Sequence, residues 1–181
     1  MIIHERKFAI VDQVEFVHRD KNGKVIHRYN SNSWQNRLLR FLHLRKHECI
    51  VAVGMANVAG LLLTDVGGTA YDYMAIGTGT NGAVVGDVKL QTQKGVRQLT
   101  IGTRVTEDET NDTAQWVATF SQAIDATLTG TDDITEIGIF YDAAGITVSM
   151  LMRQTFTAET MKWDLGDSIE FTVKVQVKQG V

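Results

Sequence analysis

Residues 168–178, with the sequence SIEFTVKVQVK, carry the pattern that decides the fold. Apolar side chains occupy every second position from 169 to 177, and polar or charged side chains occupy the positions between them. Successive side chains of a β-strand point to opposite faces, so this alternation predicts a strand with one buried and one solvated face. Strands of this kind are typical of antiparallel sheets.

Further strands are predicted upstream, at short spacing and with turn residues between them. They lie at residues 71–76, 94–105, 113–121, 134–141 and 146–154. The sequence DAAG at residues 142–145 predicts a hairpin turn. Several short strands joined by turns indicate a mainly β fold, either an antiparallel β-sandwich or a barrel.

An N-terminal hairpin is predicted from residues 14–19 and 24–29, which flank Asp20-Lys21-Asn22-Gly23. An Asn-Gly pair between β-rich segments favours such a turn, because both residues tolerate positive φ.

One or two helices are expected after this hairpin. Residues 31–33 (SNS) offer an N-cap for a helix that begins near Trp34. Its predicted apolar face holds Trp34, Leu38, Phe41, Leu42 and Cys49. Residues 51–63 fit either a second helix or a buried strand and turn, and their periodicity does not decide between the two.

The 181-residue chain is long enough for one domain with a substantial core. We expect a hairpin and helical segment at residues 1–65, packed on a β-sandwich domain at residues 66–181. Residues 1–8 (MIIHERKF) lack the regions of a secretory signal, and the broken apolar run at 50–63 is too short to span a bilayer. We therefore expect synthesis in the cytosol and no membrane partner.

The charge and cysteine content exclude two broad classes of function. A formal net charge of −3 argues against general binding to phosphate backbones, so no specific nucleic-acid partner is expected. Cys49 is the single cysteine, which excludes an intrachain disulfide or a thiolate metal cluster.

Two motifs resemble ligand sites but lack their context. Residues 77–82 (GTGTNG) match G-x-G-x-x-G, yet the short segment after them does not predict the helix that a dinucleotide site needs. His43 and His47 have the spacing of two zinc ligands on a helix, but a further ligand would have to be assumed. We expect no cofactor and no metal.

No catalytic residue is expected either. Asp132 and Asp133 lie beside Gly130, where capping or solvation of a turn accounts for them. Among the carboxylates, Glu136 is the one expected to be buried, because it lies between Ile134 and Ile137. Strict alternation places it on the same face of the strand as Ile134. A structural hydrogen bond to backbone is the preferred interpretation, with catalysis as the alternative.

Three segments, in this order, resemble a pattern found in tail-fibre and collar-type virion proteins of tailed phages. Residues 73–80 (YMAIGTGT) resemble its "aiGtGt" strand and turn, and residues 86–94 are similar to the polar segment that follows. Residues 134–140 (ITEIGIF) resemble "i.EiGlf" and precede a hairpin and the sequence MLMR at 150–153. Residues 165–169 (LGDSI) resemble "l..Gdsl.i", which leads into a terminal strand.

The resemblance covers roughly residues 25–178, including YNSN at 29–32, which is similar to the leader of that pattern. The first thirty residues have no counterpart in it, and the prolines common after the Gly-Thr turn are missing. The resemblance implies a structural component of the virion, in the tail, fibre, baseplate or neck.

Such a protein would act without enzymatic chemistry, by assembling with itself as a trimer or ring and with other virion proteins. Candidate interface anchors, for which core packing is the competing interpretation, are Trp34, Trp116, Trp163, Met150 and Met152. The alternatives are a capsid decoration or head-fibre protein, a receptor- or carbohydrate-binding module with exposed aromatic side chains, and a hydrolase that uses Glu136 or Asp132.

Overall fold

The computed structural model of the chain describes residues 8–31, 49–51, 54, 70–107, 110, 112–144 and 149–179. These residues form ten β-strands and one short 3-10 helix. The strands are β1 (Phe8–Arg19), β2 (Val25–Asn30), β3 (Cys49–Ile50), β4 (Tyr73–Gly77), β5 (Gln93–Leu99), β6 (Ile101–Val105), β7 (Thr113–Ser121), β8 (Thr131–Phe140), β9 (Met150–Lys162) and β10 (Ser168–Gln179), with the 3-10 helix at Trp163–Leu165.

The strands form two antiparallel sheets of five strands each, so the predicted mainly β fold is confirmed. The first sheet has the order β2-β1-β10-β7-β6 and the second has the order β3-β9-β8-β4-β5. Phe156 of the second sheet lies with its ring centroid 5.3 Å from Phe16 and 5.8 Å from Phe171 of the first sheet. The described strands close no barrel and form a sandwich.

The core lies between the sheets, where alternate side chains of both meet. It is built from fully buried residues of β10, β8 and β4, among them Phe171, Ile137 and Met74. Trp163 at the 3-10 helix is also fully buried and seals one end of this core. The alternation predicted for β10 is confirmed from Ile169 to Val173, where Ile169, Phe171 and Val173 are buried and the residues between them are partly exposed. Further along it weakens, because Val175 is only partly buried and the polar Gln176 is buried.

The N-terminal hairpin is confirmed as β1 and β2. Gly23 has φ +77°, the positive φ that was expected in an Asn-Gly turn and that glycine adopts readily. The Asp20 carboxylate fixes the turn by accepting hydrogen bonds from the amides of Asn22 and Lys24, both at 2.9 Å. β1 also pairs with β10 from Phe8–Gln179 to Arg19–Ser168, so the hairpin is an integral part of the first sheet.

The prediction of one continuous strand at residues 94–105 is wrong, because this segment forms two strands, β5 and β6. The chain leaves the second sheet after Leu99 and enters the first sheet at Ile101, so β5 and β6 are edge strands of different sheets. Thr100 makes this crossing, and its amide and hydroxyl both donate to the carbonyl of Asp72, at 2.8 and 2.9 Å.

The expected one or two helices are not borne out. Most of the predicted helix from Trp34, and most of residues 51–63, lie outside the described residues. At its far end the prediction is wrong, because Cys49 belongs to β3 and pairs with Arg153 of β9. The hydroxyl of Ser31, in the predicted N-cap segment, accepts a hydrogen bond of 3.0 Å from the amide of Val14.

None of the helices found in the described part of the chain has the length and apolar character needed to traverse a bilayer.

Phe171 offers a test of the inter-sheet core. Its ring contacts those of Phe16, Phe120 and Phe156 across both sheets. We expect Phe171→Ala to lower the free energy of unfolding by about 3–5 kcal/mol, because it removes buried apolar area and leaves a cavity. Urea denaturation measures the change. Leu165→Ala, at a side chain that is 63% exposed, is the control and should stay within about 0.5 kcal/mol of wild type. Equal losses for both variants would contradict this core.

Candidate functional site

Glu136 is a fully buried carboxylate on β8, as its isoleucine neighbours suggested. Its Oε1 accepts hydrogen bonds from the amides of Gly79 (3.0 Å) and Thr92 (2.8 Å). Its Oε2 accepts from the amide of Gln91 at 3.1 Å. The predicted hydrogen bonding to backbone is therefore confirmed, and both oxygens hold the two ends of the loop between β4 and β5.

The predicted shared face of Glu136 and Ile134 is wrong. The pairing of β8 with β9 shifts register between these two residues. Ile134 joins Ile137 in the core between the sheets, whereas Glu136 meets the loop that covers the opposite face of the second sheet.

Arg153 on β9 supplies the opposite charge and is also fully buried. Its Nε donates to Glu136 Oε2 at 2.7 Å. Its Nη1 donates to Asp87 Oδ2 at 2.9 Å, and its Nη2 donates to the carbonyl of Asn81 at 3.1 Å. Burying each ion costs several kcal/mol of desolvation, which is offset only when the ion is fully paired and hydrogen-bonded. Removing one partner of such a pair typically lowers the free energy of unfolding by about 3–5 kcal/mol.

We call the segment Thr78–Thr92 the anchored loop, since Glu136 and Arg153 hold it against the sheet. At its far end a turn closes with a 3.0 Å hydrogen bond from the amide of Asp87 to the carbonyl of Val84. Three valines of this turn region are 42–58% exposed, namely Val84, Val85 and Val88. A rigid base thus presents an apolar surface, which is the common arrangement for binding loops.

Gly79 is needed for this arrangement because no side chain fits there. A Cβ at this position would lie 2.5 Å from Gln91 Cβ and 2.6 Å from Glu136 Oε1. The first two glycines of the G-x-G-x-x-G pattern, Gly77 and Gly79, are therefore explained by close approach to a carboxylate. The loop then continues into a turn where a dinucleotide site has a helix.

A second polar cluster joins the two sheets, also through β9. Glu159 of β9 contacts the Nδ1 atoms of His18 (2.6 Å) and His27 (2.5 Å), through one carboxylate oxygen each. The Nε2 atom of buried His18 lies 3.2 Å from Asp167 Oδ2. This cluster attaches the first-sheet strands β1 and β2 to β9.

An open cleft of about 550 Å³ lies beside His18, between the β1–β2 turn and the 3-10 helix. Ile26 and Leu165, at its mouth, are more than half exposed. Its lining has charged residues of both signs, including Lys21, Lys162 and Asp167, and it includes no Phe, Tyr or Trp. Within the described ranges, no group of three or more His, Cys, Asp or Glu side chains is arranged to hold a metal ion.

Two further buried charges fix the ends of β5 and β8. Arg97 donates to Asp142 Oδ1 (2.6 Å) and Ser149 Oγ (2.8 Å), and its guanidinium carbon lies 3.6 Å from the centre of the Phe140 ring. Burial lowers the pKa of Arg97 from its ordinary value, while the charge of Asp142 opposes that effect. Asp125 accepts hydrogen bonds from Val96 and Thr127 and so attaches β5 to the loop after β7.

The remaining sequence candidates have structural roles where the structure describes them. Asp132 accepts a 3.0 Å hydrogen bond from the indole of Trp163 and pairs with Lys94, and Asp133 accepts from Thr160. Trp163, Met150 and Met152 are fully buried, and Trp116 is partly buried, so these side chains pack within the chain. His43, His47 and Trp34 lie outside the described residues.

Nothing in the sequence alone pairs Arg153 with Glu136, seventeen residues away. The one available signal is a lone cation inside the otherwise uncharged run at residues 150–156 (MLMRQTF). A buried cation of this kind indicates a buried anionic partner.

Comparisons with family models, with curated proteins and with solved structures find no match to this chain.

The anchored loop yields a matched pair of glycine substitutions. We expect Gly79→Ala to lower the free energy of unfolding by about 1–3 kcal/mol, because the added methyl group collides with Glu136 and Gln91. Gly86→Ala in the same loop has open space within 4 Å and should change it by less than about 1 kcal/mol. Urea denaturation compares the two. A loss for Gly86→Ala as large as that for Gly79→Ala would refute the close approach.

Asp125 makes stability depend on pH. Burial alone would raise the pKa of Asp125, but hydrogen bonds from the Thr127 hydroxyl and from the amides of Val96 and Thr127 outweigh it and hold that pKa below its ordinary value. The carboxylate therefore stabilises the fold above the ordinary aspartate pKa of about 4, and this contribution is lost as the pH falls through the lower folded value.

We accordingly expect wild type to be more stable than Asp125→Asn at pH 7, with the difference shrinking as the pH is lowered below about 4. Denaturation curves measured between pH 7 and pH 2.5 or so give the difference at each pH. A difference that grows on acidification has the wrong sign and would rule out this role for the carboxylate.

Proposed function

We propose that this chain is a non-enzymatic structural component of a tailed-virus particle, in the tail, fibre, baseplate or neck. It acts there by assembling with copies of itself and with other virion proteins. It is made in the host cytoplasm and has its working location in the virion.

The observation that carries this proposal is the meeting of two segments that resemble tail-fibre and collar-type proteins. The first segment supplies Gly79 and the anchored loop, and the second supplies Glu136 and the following Arg153. Residues that are far apart in the sequence thus form one buried network. The segments that resemble "aiGtGt" and "i.EiGlf" therefore act together in this structure, because both help to fix a loop that bears exposed valines.

The surface also suits a protein that works through assembly. The larger apolar side chains that are exposed in the described ranges are aliphatic, and several lie on the anchored loop or on the edge strands β5 and β6. Glu136, by contrast, is fully buried with both oxygens engaged, which suits a structural carboxylate better than a hydrolase acid or base.

The capsid decoration or head-fibre alternative belongs to the same class and differs only in its place on the particle. A receptor- or carbohydrate-binding module predicts exposed aromatic rings along a loop edge. The described part of the chain offers exposed aliphatic side chains instead, and aromatic rings such as Trp163 and Phe156 are buried. We therefore retain virion assembly as the proposal.

Light scattering and particle composition together test this role. We expect the purified chain of 20.1 kDa to have a solution mass that is a multiple of this value. We also expect mass spectrometry to find the protein in particles of the virus that encodes it, and antibody labelling in electron micrographs to locate it. A strict monomer at high concentration, together with particles that lack the protein, would overturn the proposal.

A further inference from the structure

The four edge strands of the sandwich differ in how they are protected against pairing with other chains. Unpaired edge strands bind further strands unless charges, irregular pairing or short length prevent it. The described part of β3 has two residues. β5 shifts register against β4 between Met74 and Ile76, and Gly95 in this strand has φ +66°.

β2, the first edge of the first sheet, is also protected. It carries His27 and Arg28, and its pairing with β1 is irregular between His18 and Arg19. His27 is in addition tied to Glu159 of the second sheet.

β6, the other edge of the first sheet, is less protected: it is short and carries one charge, but its pairing has no irregularity. Its five residues, IGTRV, pair with β7 in continuous register from Ile101–Val117 to Val105–Thr113. Four of the five are exposed, and the Ile101 side chain has 71% of its area exposed. Among the described strands, β7 is its only neighbour in the sheet, so no described strand pairs with its outer edge. Arg104 is its single charge.

We propose that the occupant of this edge is β6 of a second copy, paired antiparallel about a two-fold axis at Thr103. This inference rests on the proposed function, because it names one contact of the assembly. The two first sheets, of five strands each, would then form one continuous sheet of ten strands.

The sequence of β6 is complementary to itself in this register. Ile101 lies opposite Val105 of the partner copy, which covers the exposed isoleucine with an apolar side chain. Thr103 faces its own copy, and threonine pairs are favourable across strands. Arg104 faces Gly102 of the partner copy and so avoids a like charge.

The two neighbouring antiparallel registers, shifted by one residue in each copy, give less favourable side-chain pairs. A shift centred on Arg104 places two arginines directly opposite each other, which is destabilising. A shift centred on Gly102 pairs Ile101 with Thr103 and leaves Val105 without an apolar partner. The two-fold contact is isologous, so a single surface serves both copies.

Cysteine cross-linking tests the contact and its register. In a Cys49→Ser background, Thr103→Cys places two thiols on residues whose Cβ atoms lie about 5 Å apart, and mild oxidation should give a covalent dimer. Ile101→Cys is the matched control. Its counterpart lies four residues along the strand, about 13 Å away, which is too far for a disulfide. Mixing Ile101→Cys with Val105→Cys should restore the cross-link.

A lysine at the same position supplies an independent readout. Thr103→Lys places two like charges opposite each other and should weaken the dimer severalfold in sedimentation experiments, whereas Thr103→Val should retain it. Circular dichroism melting curves check that each variant is folded. These side chains are exposed, so we expect unchanged melting.

The outcomes separate this contact from the wider proposal. Cross-linking at Thr103 and not at Ile101 supports it. Oligomers that fail to cross-link at Thr103, or that cross-link at Ile101 alone, would overturn the β6 contact and leave virion assembly standing. A strict monomer would overturn the β6 contact, and virion assembly would fall with it only if particles also lack the protein.

Discussion

The buried pair of Glu136 and Arg153 is the interaction on which the second sheet depends. The side chains of this pair bind backbone groups near both ends of the fifteen-residue loop from Thr78 to Thr92. Buried backbone groups without partners are costly, so a loop laid over a sheet face needs such a source of hydrogen bonds. A purely apolar pair could fill the same volume but would leave the amides of Gly79, Gln91 and Thr92 unpaired.

The two sheets use polar groups in different ways. The second sheet is buried on both faces along β8, where every residue from Ile134 to Phe140 is buried, so charged groups there must be internally neutralised. The first sheet keeps one partly exposed face, and its β10 tolerates Glu170 and Lys174 without such a network. One sheet therefore supports a loop, while the other provides a wetted surface and an open edge.

The sequence contains enough information to predict elements whose pattern is local. The alternation of β10 and the Asn-Gly turn before β2 each reflect a single strand or hairpin, and both are confirmed. The crossing at Thr100 could not be predicted, because Leu99-Thr100-Ile101 lacks a Gly or Pro and continues the alternation of a strand. Which sheet each half joins is decided by tertiary pairing alone.

The polar network around Glu136 was likewise predictable only in its local features. Burial of Glu136 could be predicted from the isoleucines around it, but its partners depend on contacts between distant strands. The cluster of His18, His27 and Glu159 spans a separation of 141 residues between its first and last members, and no local pattern encodes it. Residues 32–48, where the helix is predicted, lie outside the described chain, so that prediction stands untested over most of its length.

The pairing of β1 with β10 has a consequence for biosynthesis. Phe8 lies opposite Gln179, so this pair joins the first and the last of the described strands. Long-range strand pairing of this kind carries a loop-closure cost and is associated with slower folding. The ribosome must release β10 before β1 acquires its main neighbour, and until then apolar strands of the nascent chain are open to chaperones or to aggregation.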